Sequence, residues 1–165
     1  MDIRLDDLTA PAVHALLEAH LATMRALSPP ECVFALDLDA LRDPAITFWS
    51  AWEGEQLAGI GALRECDGGE GEIKSMHTAA AWRRHGVGRA LLNHIVFEAR
   101  ERGYTRLLLE TGPQDGFAAA HNMYLDAGFA DTGPFGEYAE NPFSRFFALD
   151  LSLPSIAIGA QAYSS

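Results

Sequence analysis

Trp82-Arg83-Arg84-His85-Gly86-Val87-Gly88-Arg89-Ala90-Leu91 stands between a strand-like run and a strongly helical one. Glycines at 86 and 88 remove side chains that would hold a phosphate off the backbone, and the start of the following helix adds partial positive charge. Three of the chain's 12 basic residues, Arg83, Arg84 and Arg89, fall in this loop, against 23 acidic residues overall. The stretch reads as an anion site of diphosphate size on an acidic protein. The competing reading is a solvated helix start beside an ordinary turn.

Upstream, Ile46 to Trp52 and Leu57 to Arg64 are β-prone runs separated by Glu53-Gly54-Glu55-Gln56, the composition of a hairpin turn, and Glu72 to Thr78 continues them as an antiparallel meander. Downstream, Val87, Leu91, Leu92, Ile95, Val96 and Ala99 make a helical stripe closed by Gly103, and Arg106 to Thr111 is a compact apolar strand. Strand, loop, helix and strand form a βαβ unit, so the two strands are expected as parallel neighbours joined by a right-handed crossover, with the loop at the first strand's C-terminal end. A helix from Phe117 to Ala127, a strand beginning at Phe129 and a partner strand from Ser144 to Leu151 follow. Nearer the N-terminus, Val13, Leu16, Leu17, Leu21 and Met24 predict an amphipathic helix with Pro11 in its first turn, ended by Ser28-Pro29-Pro30. Leu36, Leu38 and Leu41 suggest a short second helix.

The expected architecture is α/β with a mixed sheet, in a single domain over residues 1–165. Within it, 1–45 supply N-terminal helices, 46–151 the core and 152–165 a tail. For the tail, a loose end, an added strand and a homodimer contact stand as alternatives. A hydrophobic content of 48% over 165 residues suffices for one well-buried core. The net charge of −11 disfavours a nucleic-acid partner and suits a cationic or neutral small one. Cys32 and Cys66 have no CxxC spacing, which suggests neither a disulfide framework nor a zinc knuckle and fits a reducing compartment. With no signal-peptide pattern and no bilayer-length apolar run, the protein is expected in the cytoplasm, away from membranes. His14, His20 and His94 fall in helical patterns as surface or structural residues. His77, His85 and His121 lie nearer the loop but lack zinc spacing, so no metal is expected, and there is no Gly-x-Ser-x-Gly elbow.

Two familiar nucleotide loops are excluded. A Rossmann fingerprint needs a third glycine where Leu91 stands, and a Walker loop needs Gly-Lys-Ser or Gly-Lys-Thr, whereas the only lysine is Lys74. Arg83-Arg84-His85-Gly86-Val87-Gly88 instead resembles the acetyl-CoA loop of the GCN5-related N-acetyltransferase (GNAT) family. Ala120-His121-Asn122-Met123-Tyr124-Leu125-Asp126-Ala127-Gly128-Phe129 resembles that family's Ala-x-x-Leu-Tyr-x-x-x-Gly-Phe helix. The resemblance spans roughly residues 45 to 150 as an order of elements. It implies a GNAT-like acyl-CoA N-acyltransferase fold with splayed central strands. It also implies acetyl-CoA as co-substrate and direct acetyl transfer, in a ternary complex, to a primary amine of a small molecule or protein. The alternative keeps the fold as a non-catalytic acyl-CoA-binding regulatory module.

Residue by residue, the resemblance sets the pyrophosphate on the amides of Arg84 to Arg89, with Arg83, His85, Gly86, Val87 and Gly88 binding cofactor. It gives the backbone of Met76, His77 and Thr78 to the pantetheine arm and the oxyanion. Tyr124 becomes the proton donor to the departing thiolate. Glu72, eleven residues before Arg83, takes the place of the general base, its competing reading being the start of an exposed strand. The family's usual asparagine seven residues before the tyrosine is Phe117 here, with Asn122 or Gln114 as substitutes. Glu110, Thr111, Glu137 and Tyr138 are candidate acceptor-pocket residues, and His121 a candidate proton relay.

Overall fold

The computed structural model describes residues 1–112 and 117–152. In chain order the elements are β1 (Asp2–Leu5), α1 (Pro11–Leu27), α2 (Leu38–Leu41), β2 (Ile46–Glu53), β3 (Gln56–Cys66), β4 (Glu70–Thr78), α3 (Val87–Glu101), β5 (Arg106–Thr111), α4 (Ala118–Asp126), β6 (Ala130–Thr132) and β7 (Arg145–Asp150). Short 3-10 turns at Pro30–Cys32 and Ala80–Trp82 follow α1 and β4. The strands form one mixed sheet in the order β1-β2-β3-β4-β5-β7-β6. All neighbours are antiparallel except β4 and β5, the two strands of the βαβ unit. Among the described residues no helix is long and apolar enough to cross a membrane.

The expected meander and βαβ unit are present. β1 was not foreseen: four residues are too few to show a period, and the strand is held by pairing Asp2 to Leu5 against Trp52 to Trp49 at the sheet edge. Arg4 covers the Trp52 ring at 4.9 Å, placing a charge on that edge.

Helices cover both faces. On one, Leu91, Leu92, Ile95 and Ala99 of α3 pack with Leu63, Ile73, Leu107, Leu109 and Phe147 of the sheet, joined by Tyr124 and Phe129. On the other, Val13 and Leu17 of α1, with Leu41, pack on Phe48, Ile60 and Ala62. Full burial of such aliphatic side chains is worth about 1.5–3 kcal/mol each, and this anchors α3 and hence the loop that precedes it. The approach of α3 is close: a Cβ on Gly59 would lie 2.7 Å from Val87 Cγ1 and 3.2 Å from the His77 carbonyl oxygen.

Two irregularities open the middle of the sheet. The β3–β4 register slips between Ile60 and Ala62, where Ser75 adopts φ +55°, a left-handed conformation uncommon outside glycine. The β4–β5 ladder runs only from Glu70↔Arg106 to Ile73↔Leu109. Beyond Ile73 the two strands diverge, while β5 stays paired with β7 through Glu110 and Thr111.

Candidate active site

The anion loop leaves the end of β4 at Thr78, passes through the 3-10 turn and enters α3. Arg84 has φ +66° and Gly86, at the helix N-cap, φ +78°. Arg83, Arg84, His85, Gly86 and Arg89 are exposed, and His85 meets the Trp82 ring edge-on at 5.4 Å. The two glycines serve different needs. Nothing lies within 4 Å of a Cβ built on Gly86, so that side of the helix start is open. A Cβ on Gly88 would meet Met123 Sδ at 3.1 Å and Thr78 Oγ1 at 3.6 Å, so Gly88 lets α4 come close to α3. Val87 is buried in the core, and Arg89 pairs with Asp126 of α4 at 3.3 Å.

Where β4 and β5 part, a cavity of about 100 Å³ is lined by Ile73 to Met76 of β4, Leu109 to Gly112 of β5, His20 and Met24 of α1, Ser28, Cys32 to Ala35, Phe117 and Tyr124. Among the described residues, the backbone of β4 from Lys74 onward has no strand partner on its β5 side. Met76 turns toward α3, its Sδ 2.7 Å from where a Cβ on Gly61 would lie, and His77 turns toward α1.

Tyr124 is buried between Phe129 and Phe147, with ring centroids 5.7 and 6.1 Å away. Burial pushes its phenol well above the usual range, so it stays a neutral donor at the cavity wall. Phe117, in the position of the family's asparagine, is a buried part of that wall and stacks on His121. Asn122 is exposed on α4. Gln114 lies outside the described residues.

Glu72 does not begin an exposed strand. It is the third residue of β4 and 1% exposed. Its carboxylate receives Tyr138 Oη at 2.6 Å and Lys74 Nζ at 3.3 Å, with Arg64 Nε 3.8 Å away, and it is absent from the cavity wall. The carboxylate that does reach the cavity is Glu110, which accepts a 2.7 Å hydrogen bond from Ser144 Oγ. Burial raises its proton affinity above the usual carboxylate range, an effect opposed by the Ser144 bond and by Lys74. Thr111 lines the cavity as expected, whereas Glu137 is exposed and Tyr138 lies behind the wall on Lys74.

His121 has no nitrogen left for a relay. Nε2 meets the Gly112 carbonyl and Nδ1 faces Arg145 Nη1 at 3.4 Å, so Nε2 carries the proton. Desolvation first, opposed by the Gly112 bond, and then Arg145 hold its pKa below the ordinary value, and the ring braces α4 against the end of β5. His20 is likewise structural: buried on α1, its Nδ1 lies 3.1 Å from His77 Nδ1, so one ring donates and the other accepts. Sequence reasoning gave no place in the site to Lys74, Phe34 and Cys32, all of which line the cavity. Lys74 had offered one signal, the chain's single lysine placed two residues from a glutamate along a strand and therefore on the same face.

Comparison with known proteins gives the same outline. The model of the Acetyltransferase (GNAT) family matches residues 13–129. The chain is 54% identical to the uncharacterized N-acetyltransferase YedL of Escherichia coli strain K12 over 149 residues, 90% of this chain and 94% of that one. It is 50% identical to the uncharacterized N-acetyltransferase YsnE of Bacillus subtilis strain 168 over 151 residues, 92% of this chain and all of that one. Its fold overlays a crystal structure of an aminoglycoside 6'-N-acetyltransferase complexed with coenzyme A with a TM-score of 0.69 at 15% identity, covering 94% and 99% of the two chains. With the glycine loop, the parted central strands and the buried helix tyrosine in place, the match over more than half its length means that this chain belongs to the GNAT acetyltransferase family and is an acetyltransferase enzyme.

Proposed function

We infer that the enzyme moves an acetyl group from acetyl-CoA to a primary amine of a small molecule or of a protein, by direct attack with both substrates bound. The observation that carries this reading is the cavity at the β4–β5 divergence, which is lined by a buried neutral phenol, Tyr124, and by a half-buried carboxylate, Glu110. The loop suits a diphosphate: Gly86 leaves the helix start open and Arg83 and Arg84 stand exposed beside it. The unpaired edge of β4 through Met76, His77 and Thr78 suits the amide-bearing pantetheine arm.

Acetyl-CoA supplies the acyl group as a thioester, activated toward amines. The chain's residues manage the protons and the charge. A primary amine with a pKa of roughly 10 is mostly protonated at neutral pH, so a base must take its proton as the new N–C bond forms and the C–S bond breaks. Geometry favours Glu110 over Glu72 for this, since Glu110 lines the cavity while Glu72 is already engaged by Tyr138 and Lys74. Tyr124 gives its proton to the leaving sulfur, and a backbone N–H of the β4 edge receives the carbonyl oxygen. A cavity of about 100 Å³ walled by Met24, Phe34 and Phe117 suits a small aminoalkyl end. The reading as a binding module without turnover is not favoured, since both relatives are N-acetyltransferases along nearly their whole length.

The test is CoA release from acetyl-CoA across a panel of primary amines, with Glu110→Gln and Glu72→Gln beside the wild type. Acceptor-dependent release is expected. Loss of a general base slows a reaction by roughly 10²- to 10⁴-fold, and this loss is expected in Glu110→Gln with CoA affinity retained. CoA binding without amine-dependent release would favour the module. Loss of the pH-dependent limb in Glu72→Gln alone would return the base role to Glu72.

A further inference from the structure

Three parts of the chain meet beside the cavity: β4 and residues 33–35 after α1, which line it, and the loop between β6 and β7, which packs on both through Tyr138. All three meet at one ammonium group. Lys74 Nζ donates to the Phe34 carbonyl oxygen at 3.2 Å, to Tyr138 Oη at 2.8 Å and to Glu72 Oε2 at 3.3 Å. An ammonium has three donors, and each goes to a different partner. Tyr138 completes the ring of contacts by donating to Glu72 at 2.6 Å. Its ring packs on Phe34 of residues 33–35, on Phe135 of the β6–β7 loop and on Phe146 of β7, with centroids 5.1, 5.0 and 5.5 Å away.

The ion pair is buried, the Lys74 and Glu72 side chains being 7% and 2% exposed, and Tyr138 is half-buried over it. A buried ion pair is a poor route to stability, since two apolar side chains of the same volume commonly do as well. What apolar groups cannot do is hold a carbonyl and a hydroxyl at fixed points. All three donors of Lys74 are spent on the protein itself, so it has none to offer an acceptor. It lines the cavity together with Ser75, Met76, Phe34 and Glu110.

We propose that Lys74, with Glu72 and Tyr138, is a clasp that positions the acceptor cavity: by tying residues 33–35 and the β6–β7 loop to β4 it fixes the girth of the amine that reaches Glu110 and Tyr124. Lys74 and Tyr138 are positioning residues and touch no reacting atom. The inference rests on the acetyl-transfer reading for its consequence, selectivity among amines, but not for the clasp itself.

The experiment uses Tyr138→Phe, which keeps the ring among its three aromatic neighbours and deletes both hydroxyl contacts, and the charge-neutral pair Glu72→Gln with Lys74→Met. Hydrogen exchange of the full chain comes first. Amides of residues 33–36 and 135–139 are expected to exchange about tenfold faster together in both variants, with α3 unchanged, as for local opening of two segments sharing one tie. Acceleration of one segment alone, or of neither, overturns the clasp. Steady-state kinetics with straight-chain and branched primary amines follow. The KM of the best straight-chain amine is expected to rise about tenfold with kcat within about threefold, and the discrimination against branched amines to shrink, because ground-state positioning is what has been lost. A fall in kcat at constant KM would place the cluster in the chemistry and overturn the positioning role. Should Tyr138→Phe lose its fold, the double variant decides by the same measurements. Wild type that binds CoA but releases none with any amine would sink the acetyl-transfer reading, while the exchange measurement would still judge the clasp.

Discussion

Acidification should weaken the seat of α1 on the sheet through His20. Its imidazole is buried against His77 and Lys74, and desolvation, followed by the repulsion of these two neighbours, brings its pKa from 6.5 to about 4. The folded state therefore prefers neutral His20. Because the folded value is the lower one, the contribution is complete above the unfolded value and is lost as pH falls through 6.5 toward about 4. At 1.36 kcal/mol per pH unit the full difference is about 3 kcal/mol, most of which is gone by a pH of about 4.5. Many carboxylates titrate over part of the same range, so the measurement is a difference. Urea unfolding of wild type and His20→Gln at neutral pH and near pH 4.5 should show the wild type losing about 2–3 kcal/mol more than the variant. In a protein of this size that equals a Tm gap of roughly 5–10 °C. Parallel losses, within about 0.5 kcal/mol, would show that His20 is not held neutral by the fold.

Other perturbations test the loop, the acid and the packing of α3. In Gly86→Val a β-branched residue must adopt φ +78° at the open helix start, with a strain of about 1–2 kcal/mol, and CoA affinity should drop at least about tenfold; unchanged calorimetry would remove the loop from the site. Tyr124→Phe keeps the packing on Phe129 and Phe147 and should lower kcat by roughly ten- to a thousand-fold with melting and CoA affinity nearly unchanged. Lost stability with retained kcat would make the tyrosine a core residue only. Gly59→Ala puts a methyl 2.7 Å from Val87 Cγ1 and should cost about 1–3 kcal/mol by overpacking, measured by urea unfolding. A neutral result would mean that α3 can back away from β3 without loss.

The parts of the fold legible in the sequence were those with a long period or a local signature. The α3 stripe from Val87 to Ala99, the apolar run of β5 and the glycine loop each carry their information within a dozen residues. β1 escaped because four residues show no period, and its strand character comes from Trp49 to Trp52 across the sheet. The bulge at Ser75 has no signature either, since its left-handed backbone is imposed by the neighbouring strands on a residue that does not favour it. In the site, Tyr124 was readable from its helix motif. The engagement of Glu72 was not: Tyr138 is 66 residues away and Phe34 lies 40 residues from Lys74, so no spacing reports their meeting. The same holds for His121, whose second partner, Arg145, is 24 residues on.

The burial of Lys74 bears on how such an enzyme treats itself. On the proposed reading, a catalyst that hands acetyl groups to amines is exposed, at its own working concentration of thioester, to slow chemical acylation of every lysine on its surface. Here the other side-chain cations are arginines, whose guanidinium stays protonated and does not compete as an acceptor at neutral pH. The one lysine is locked away with its three donors committed. Prolonged exposure to acetyl-CoA should therefore leave the one side-chain amine of the native protein unacetylated, and the appearance of acetyl-Lys74 by mass spectrometry would report unfolding.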